Sequence, residues 1–263
     1  MTRQKFTFAA LLAIVVVLFA ATGCIEGARV GDLQTKSETV ELGDAESVSV
    51  DIDMGAGELD VSGGAGELLE ATFTYNVEEL NPEATYSNGN LVVKHDDVKE
   101  GIGTFFDLDD YRNEWDLRFK EGVPMEMNIN VGAGRSKLSL GSLALSRLDI
   151  NAGAGEVDLD LSDSQSLNRL DFDMGAGGLT LDLTGEWQDD LNAAIKGGVG
   201  EINLKLPSNS GVRIVVNTGI GDVDTSGLMK DGDTYTNDAY GESEVTLRID
   251  IDGGIGQINL DVA

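Results

Sequence analysis

Two patterns in this chain invite a chemical reading. The first is a Gly-x-Gly pair that recurs at Gly55/Gly57, Gly132/Gly134, Gly153/Gly155, Gly175/Gly177, Gly198/Gly200, Gly219/Gly221 and Gly254/Gly256, with a weaker eighth copy at Gly64/Gly66. Glycine-rich loops cradle phosphates when further glycines follow at fixed spacing and a helix opens behind them. Here the residue three past each main pair is Asp60, Lys137, Asp158, Thr180, Asn203, Asp224 or Asn259, and no Gly-Lys-Ser/Thr run exists. Nucleotide binding is therefore set aside. The second pattern is acidic residues beside those glycines. Residues 197–205 and 253–261 look like the calcium-binding nonapeptide, but Ile202 and Ile258 stand where its ligand aspartate belongs. What remains for a cation is Asp158, Asp160 and Asp182, outward residues of neighbouring repeat copies whose carboxylates could share Ca²⁺. Lys137 and Lys205 nearby favour ordinary charge mixing, and no other cofactor is expected.

Catalysis is poorly supplied. The one histidine, His95, lies in an irregular stretch and the one cysteine is Cys24, so histidine triads and the usual zinc sets are excluded. Among 47 acidic residues a carboxylate pair for sugar hydrolysis is an unspecific signal. Arg135, Arg147, Arg169, Lys196 and Arg213 could serve as bases in a lyase-like site, but their repeat positions favour a surface or ladder role. No catalytic residue is expected, and a carbohydrate-active or cation-dependent enzyme is the competing reading. Of the aromatics, Trp115, Tyr111, Phe106 and Trp187 are expected mostly in core or end-cap positions. Tyr235 and Tyr240 are the expected exposed pair.

The elements that carry these residues follow from the repeat. From second glycine to second glycine the later spacings are 21, 22, 23 and 21 residues, then 35. A period in the twenties marks a solenoid. Five residues before the second glycine stand Ile129, Ile150, Phe172, Ile195, Val216 and Ile251. Two after it stand Val157, Leu179, Ile202, Val223 and Ile258, with Ser136 the exception. Four after it stand Leu138, Leu159, Leu181, Leu204 and Leu260, with Thr225 the exception. One before it stand Ala133, Ala154, Ala176, Val199, Ile220 and Ile255. Strand alternation predicts that all four columns face inward, with the glycines at turns between short strands. The chain is thus all-β, a β-solenoid with roughly 21–23-residue coils. It divides into a leader over 1–23, a tether over 24–47, a β domain over 48–124 with an irregular aromatic-rich insert from residue 76, and a repeat block over 125–263 continuous with it. Residues 228–244 read as an extra acidic loop. The insert and the last strand are the expected end caps.

The formal charge is −29, and removing Arg3 and Lys5 with the leader takes it to −31. Such a surface repels nucleic acid and anionic headgroups, so neither is an expected partner. The leader has a basic start, an apolar run over residues 6–21 and Ala21-Thr22-Gly23-Cys24. It resembles the signal peptide and lipobox of bacterial lipoproteins, which implies lipid attachment at Cys24 and a place outside the cytoplasm on the membrane or envelope. An ordinary cleaved secretory signal is the alternative.

Residues 40–75, VELGDAESVSVDIDMGAGELDVSGGAGELLEATFTY, with Asn113-Glu114-Trp115-Asp116-Leu117, Val123-Pro124 and the GAG repeats, resemble the bacterial toast-rack family. They are similar in turn to the C-terminal domain of LiaF-like envelope-stress proteins and to adhesin-type repeat domains. The resemblance implies a right-handed β-solenoid and an envelope-associated binding, adhesive or stress-related role, through an envelope protein or a glycan, with no catalytic motif to carry over.

Overall fold

A computed structural model describes residues 30–95 and 111–263. The strands are β1 (Gln34–Val40), β2 (Val48–Gly63), β3 (Leu69–Tyr75), β4 (Pro82–Ser87), β5 (Asn90–His95), β6 (Asn113–Phe119) and β7 (Met125–Ser139), then β8 (Leu145–Asp160), β9 (Arg169–Asp182), β10 (Leu191–Leu206), β11 (Gly211–Ser226), β12 (Met229–Asp231), β13 (Thr234–Thr236) and β14 (Thr246–Val262). All belong to one 14-stranded sheet. Among the described residues the helical content is a single 3-10 turn, Glu78–Leu80.

Its body is a parallel stack in the order β2, β7, β8, β9, β10, β14, β11. Pairing sets Gly57, Gly134, Gly155, Gly177, Gly200, Gly256 and Gly221 in one row. The columns read from the sequence explain that register. Ile129, Ile150, Phe172, Ile195, Ile251 and Val216 are buried, as are Leu138, Leu159, Leu181, Leu204 and Leu260. A slip of one residue would turn every one of them to solvent.

The glycine pairs do not separate two strands; each lies inside one long strand and bends it into two arms. The second glycine takes a positive φ, +134° at Gly155, and a Cβ there would lie 1.8 Å from the Gly134 carbonyl oxygen of the rung below. Glycine is required by conformation and by stacking together. The same bend overturns one expected column. Residues one before the second glycine are exposed, not buried: Val199 at 55%, Ile255 at 52% and Ile220 at 70%, with Ala133, Ala154 and Ala176 also outside. Alternation predicts an inward residue there only if the strand keeps its phase, and the bend shifts the phase by one residue. Gly64 and Gly66 form no such hinge. Gly64 follows the end of β2, and the N–H of Gly66 donates to the Glu70 carboxylate.

Both ends differ from expectation. The last strand is no cap: β14 lies between β10 and β11, paired in parallel with each. Its arms bury Ile251 and Leu260, whereas the second arm of β11 offers a half-buried Val223 and an exposed Thr225. The strand with the poorer apolar arm takes the outer place. Residues 228–244 are not a loop but carry β12 and β13; β13 pairs with the first arm of β11 and β12 with β13. Tyr235, expected to be exposed, is 3% exposed there, while Tyr240 is exposed as expected.

At the other end the described parts of the insert, residues 76–95 and 111–124, are ordered into strands rather than irregular. β5 pairs with the first arm of β2 and β6 with the second, both in parallel, so together they make one more rung, divided at its hinge. β4 covers β5, β3 covers β6, and β1 covers β3, all antiparallel. The tether reading thus fails over Gln34–Val40. Its alternation sets Lys36, Glu38 and Val40 on the less exposed face, where Lys36 pairs with Glu38 at 2.7 Å and donates to the Pro82 carbonyl. Trp115, in β6, is buried edge-on to Phe73, with ring centroids 5.5 Å apart. Trp187 is buried too, its indole N–H donating to the Leu183 carbonyl at 2.8 Å.

Candidate functional site

Because identical positions stack, every outward side chain belongs to a ladder running the length of the stack, and the candidate residues are read as ladders. Nearest the hinge on the first arms run Asp53, Asn130, Asn151, Asp173, Lys196, Asp252 and Asn217. Asn151 donates to the Asn130 side chain at 3.0 Å, Asn217 donates to Asp252 at 3.1 Å, and Lys196 lies 3.4 Å from Asp173. Beside Asp53, Asn130, Asn151, Asp173 and Lys196 an open groove of about 650 Å³ passes over the first glycines of the hinges. It combines carboxylate, amide and ammonium groups with bare backbone, a surface suited to hydrogen-bonding an extended polar ligand.

Farther from the hinge, Arg147, Arg169, Arg248 and Arg213 share one column, with Asn192 among them. Arg147 holds Asp149 at 2.6 Å and reaches Asp171 at 3.4 Å, and Arg169 holds Asp171 at 2.6 Å. The hydrogen bond from Arg169 is the largest influence on the Asp171 carboxyl and, with Arg147, keeps its pKa below the usual carboxylate value. Arg248 binds Asp190 at 2.7 Å, and that bond, with the Thr246 N–H, lowers the Asp190 pKa likewise. Arg147, Arg169 and Lys196 are thus engaged with carboxylates, and so is Arg135, with Glu156.

The weak cation candidates stand on the second arms. Asp160 and Asp182 are register neighbours, while Asp158 is level with Lys137 and Thr180. Asp160 accepts from the Ser162 N–H and hydroxyl, and Asp182 accepts from those of Thr184 and pairs with Lys205 at 3.4 Å. Burial opposes ionisation of Asp182, but the Thr184 and Lys205 contacts outweigh it and lower its pKa. The structure therefore sets two of the three carboxylates at turns, with donors already bound. Among the described residues no group of three or more histidine, cysteine or acidic side chains converges on a metal position.

His95 lies at the split hinge. Its Nε2 accepts from the Gly55 N–H at 3.4 Å, its ring packs edge-on to Trp115, and burial lowers its pKa against the opposing pull of Asp53. Tyr111 and Asn113 both donate to the Ala56 carbonyl, so side chains close the hinge ladder where, among the described residues, no further glycine hinge stacks. Cys24, the apolar run before it and Phe106 lie outside the described residues.

Sequence reasoning missed the exposed apolar column Val199, Ile255, Ile220. A signal existed: the hinge's middle residue changes from alanine to a β-branched residue in the last three rungs of the stack. The residue two before it changes from Met54, Val131, Ala152 and Met174 to Gly197, Gly253 and Thr218. Apolar bulk moves from inside to outside.

A family model described as the N-terminal domain of toast_rack, DUF2154, matches residues 29–167 and 163–205. Comparison with curated proteins gives no match. Among solved structures, a candidate cell adhesion protein from Clostridium sporogenes is similar with a TM-score of 0.67 at 28% identity, over 88% of this chain and 100% of that chain. A candidate adhesin from Bacteroides fragilis aligns at 13% identity and a TM-score of 0.38, over 89% and 100%. A candidate lipid-binding protein from Parabacteroides distasonis aligns at 13% and 0.36, over 88% and 97%.

Proposed function

We propose, from the premise that this chain belongs to the toast-rack family, that it is a non-catalytic, adhesin-like protein of the cell envelope. It is held to the membrane by a lipid on Cys24, and its parallel stack is a right-handed solenoid presenting a stiff acidic surface to a glycan or an envelope protein. The observation that carries the reading is the likeness to the candidate cell adhesion protein, which spans all of that chain and 88% of this one. The ladders support it. A face whose chemistry repeats from rung to rung suits recognition of an extended polymer, and four of the five basic side chains a lyase-like site would use, Arg135, Arg147, Arg169 and Lys196, are tied to carboxylates. The groove beside Asn130 and Asn151 is the proposed contact surface.

Two measurements test this. Cys24→Ala should move the protein from the membrane fraction to the soluble fraction, and unchanged fractionation would refute the anchor. On a glycan array and a panel of envelope proteins the full chain should bind at least one member, and a triple Asn130→Ala, Asn151→Ala, Asp173→Ala variant of unchanged fold should lose about tenfold in affinity. Undiminished binding by that variant would refute the groove.

A further inference from the structure

The stack is covered along both arms at one end, the closed end, and along only one arm at the other, the open end. At the first end the second arm of β2 is covered by β6, β6 by β3 and β3 by β1. At the far end β13 covers β11 only over residues 213–215, flanked by bonds from the Val216 N–H to the Asp233 carbonyl and from the Asn237 N–H to the Val212 carbonyl. Beyond that point residues 217–226 have β14 on one side and, among the described residues, no strand on the other. Half of the backbone donors and acceptors of this arm therefore point outward, a template for another strand.

The side chains state what kind of strand. Asp222 and Asp224 are exposed on the outward face of the arm. Ile220, at its start, is 70% exposed, the most exposed large apolar side chain among the described residues, and continues the column of Ile255 and Val199 on the next two rungs. An edge that only needs to stay unpaired is served by charge alone. This edge carries charge and, at the hinge, an apolar ridge.

We infer that the second arm of β11 is a docking edge for an extended strand of another protein. That strand carries lysine or arginine at alternate positions facing Asp222 and Asp224, and an apolar side chain beside Ile220. A second copy of this chain fits badly: antiparallel self-pairing about Val223 sets Asp222 against Asp224 of the other copy, parallel self-pairing sets each aspartate against itself, and like charges directly opposite destabilise a strand pair. The formal charge of −29 opposes the approach of a second copy as well. The inference goes beyond the groove reading and does not depend on it, since substitutions in the groove leave this edge intact.

Hydrogen exchange of the full chain, with and without a short soluble peptide alternating lysine and valine, tests it. In the free chain alternate amides over residues 220–226 should exchange fast. The lysine peptide should slow them about tenfold or more, while its glutamate counterpart leaves them unchanged. The double variant Asp222→Lys, Asp224→Lys should reverse that preference, which an effect on folding would not do. The inference is overturned if those amides are already slow in the free chain, if neither peptide or both slow them equally, or if sedimentation shows a dimer whose formation protects the same amides.

Discussion

The hinge ladder has two regions built on the same glycines. In β2, β7, β8 and β9 the interior beside the hinge holds Met54, Val131, Ala152 and Met174, all buried, and the outside holds Ala56, Ala133, Ala154 and Ala176. In β10, β14 and β11 the same register position holds half-buried Gly197, half-buried Gly253 and exposed Thr218, and the outside is Val199, Ile255 or Ile220. The backbone register is unchanged, Gly177 on Gly200 and Gly200 on Gly256. Inside, the δ-carbons of Ile202 and Ile258 approach the vacated space, 3.0 and 3.1 Å from where a Cβ on Gly197 or Gly253 would stand. The fold constrains the hinge glycines strictly and the residues flanking them loosely. The loose positions are where the two regions differ, and the difference falls at the open end of the stack.

Substitutions at the two kinds of glycine should separate these constraints. Gly155→Ala drives a methyl group to 1.8 Å from a backbone carbonyl at a φ of +134°, and a loss of about 4 kcal/mol or more is expected by denaturant titration. A loss under about 1 kcal/mol would show that the ladder can part to admit a side chain. Acid should act next. The folded-state pKa values of Asp171, Asp182 and Asp190 are lowered, so their contribution is complete above the unfolded carboxylate value and is lost as pH falls through the folded one. Thermal midpoints should drop between about pH 5 and pH 2, and less so in Asp190→Asn, whose ion pair is solvent-exposed and of modest strength. An equally steep drop in that variant would remove the ion pair from the explanation.

His95 probes the closed end over a different range. Its lowered folded pKa gives stability that is present above the ordinary value of 6.5 and is lost as pH falls from there through the folded value. His95→Gln should flatten the stability profile between about pH 7 and pH 5, and an unchanged slope would assign that range to other groups. The smallest effects belong to the open end. Val199→Ala, Ile255→Ala and Ile220→Ala should each change stability by about 0.5 kcal/mol or less, as exposed positions do. Together they should reduce binding of a hydrophobic dye. Gly197→Ala, which meets only a movable isoleucine end, should fall in the same range, and a loss near that of Gly155→Ala would erase the distinction between strict and loose positions.

Much of this was legible in the chain. The columns of Ile150 and Leu159 gave the parallel stack and its register, because period-two burial leaves no other way to share a core. Alternation alone turns the hinge's middle residue inward, because counting by twos does not register the one-residue change of phase at a positive φ. Strand order could not be read locally. β11 and β14 carry the same pattern, and their placement rests on how much apolar surface each arm buries, Val223 and Thr225 against Ile258 and Leu260. The divided rung was hidden because residues 96–112 separate β5 from β6, so its two arms do not run as one alternating stretch around a Gly-x-Gly pair. For the candidate site, the outward ladders followed from the repeat. The partners of each carboxylate depended on turns at Ser162 and Thr184, which no spacing rule predicts.

The contrast between a closed and an open end is most directly measured by native hydrogen exchange of the unliganded full chain, comparing the arm at residues 220–226 with the second arm of β8. Alternate fast and slow amides are expected at Ile220, Asp222, Val223, Asp224 and Thr225, with uniform slow exchange at Val157, Asp158, Leu159 and Asp160. Uniform protection of both arms would show that the last rung is already covered and would contradict the open end.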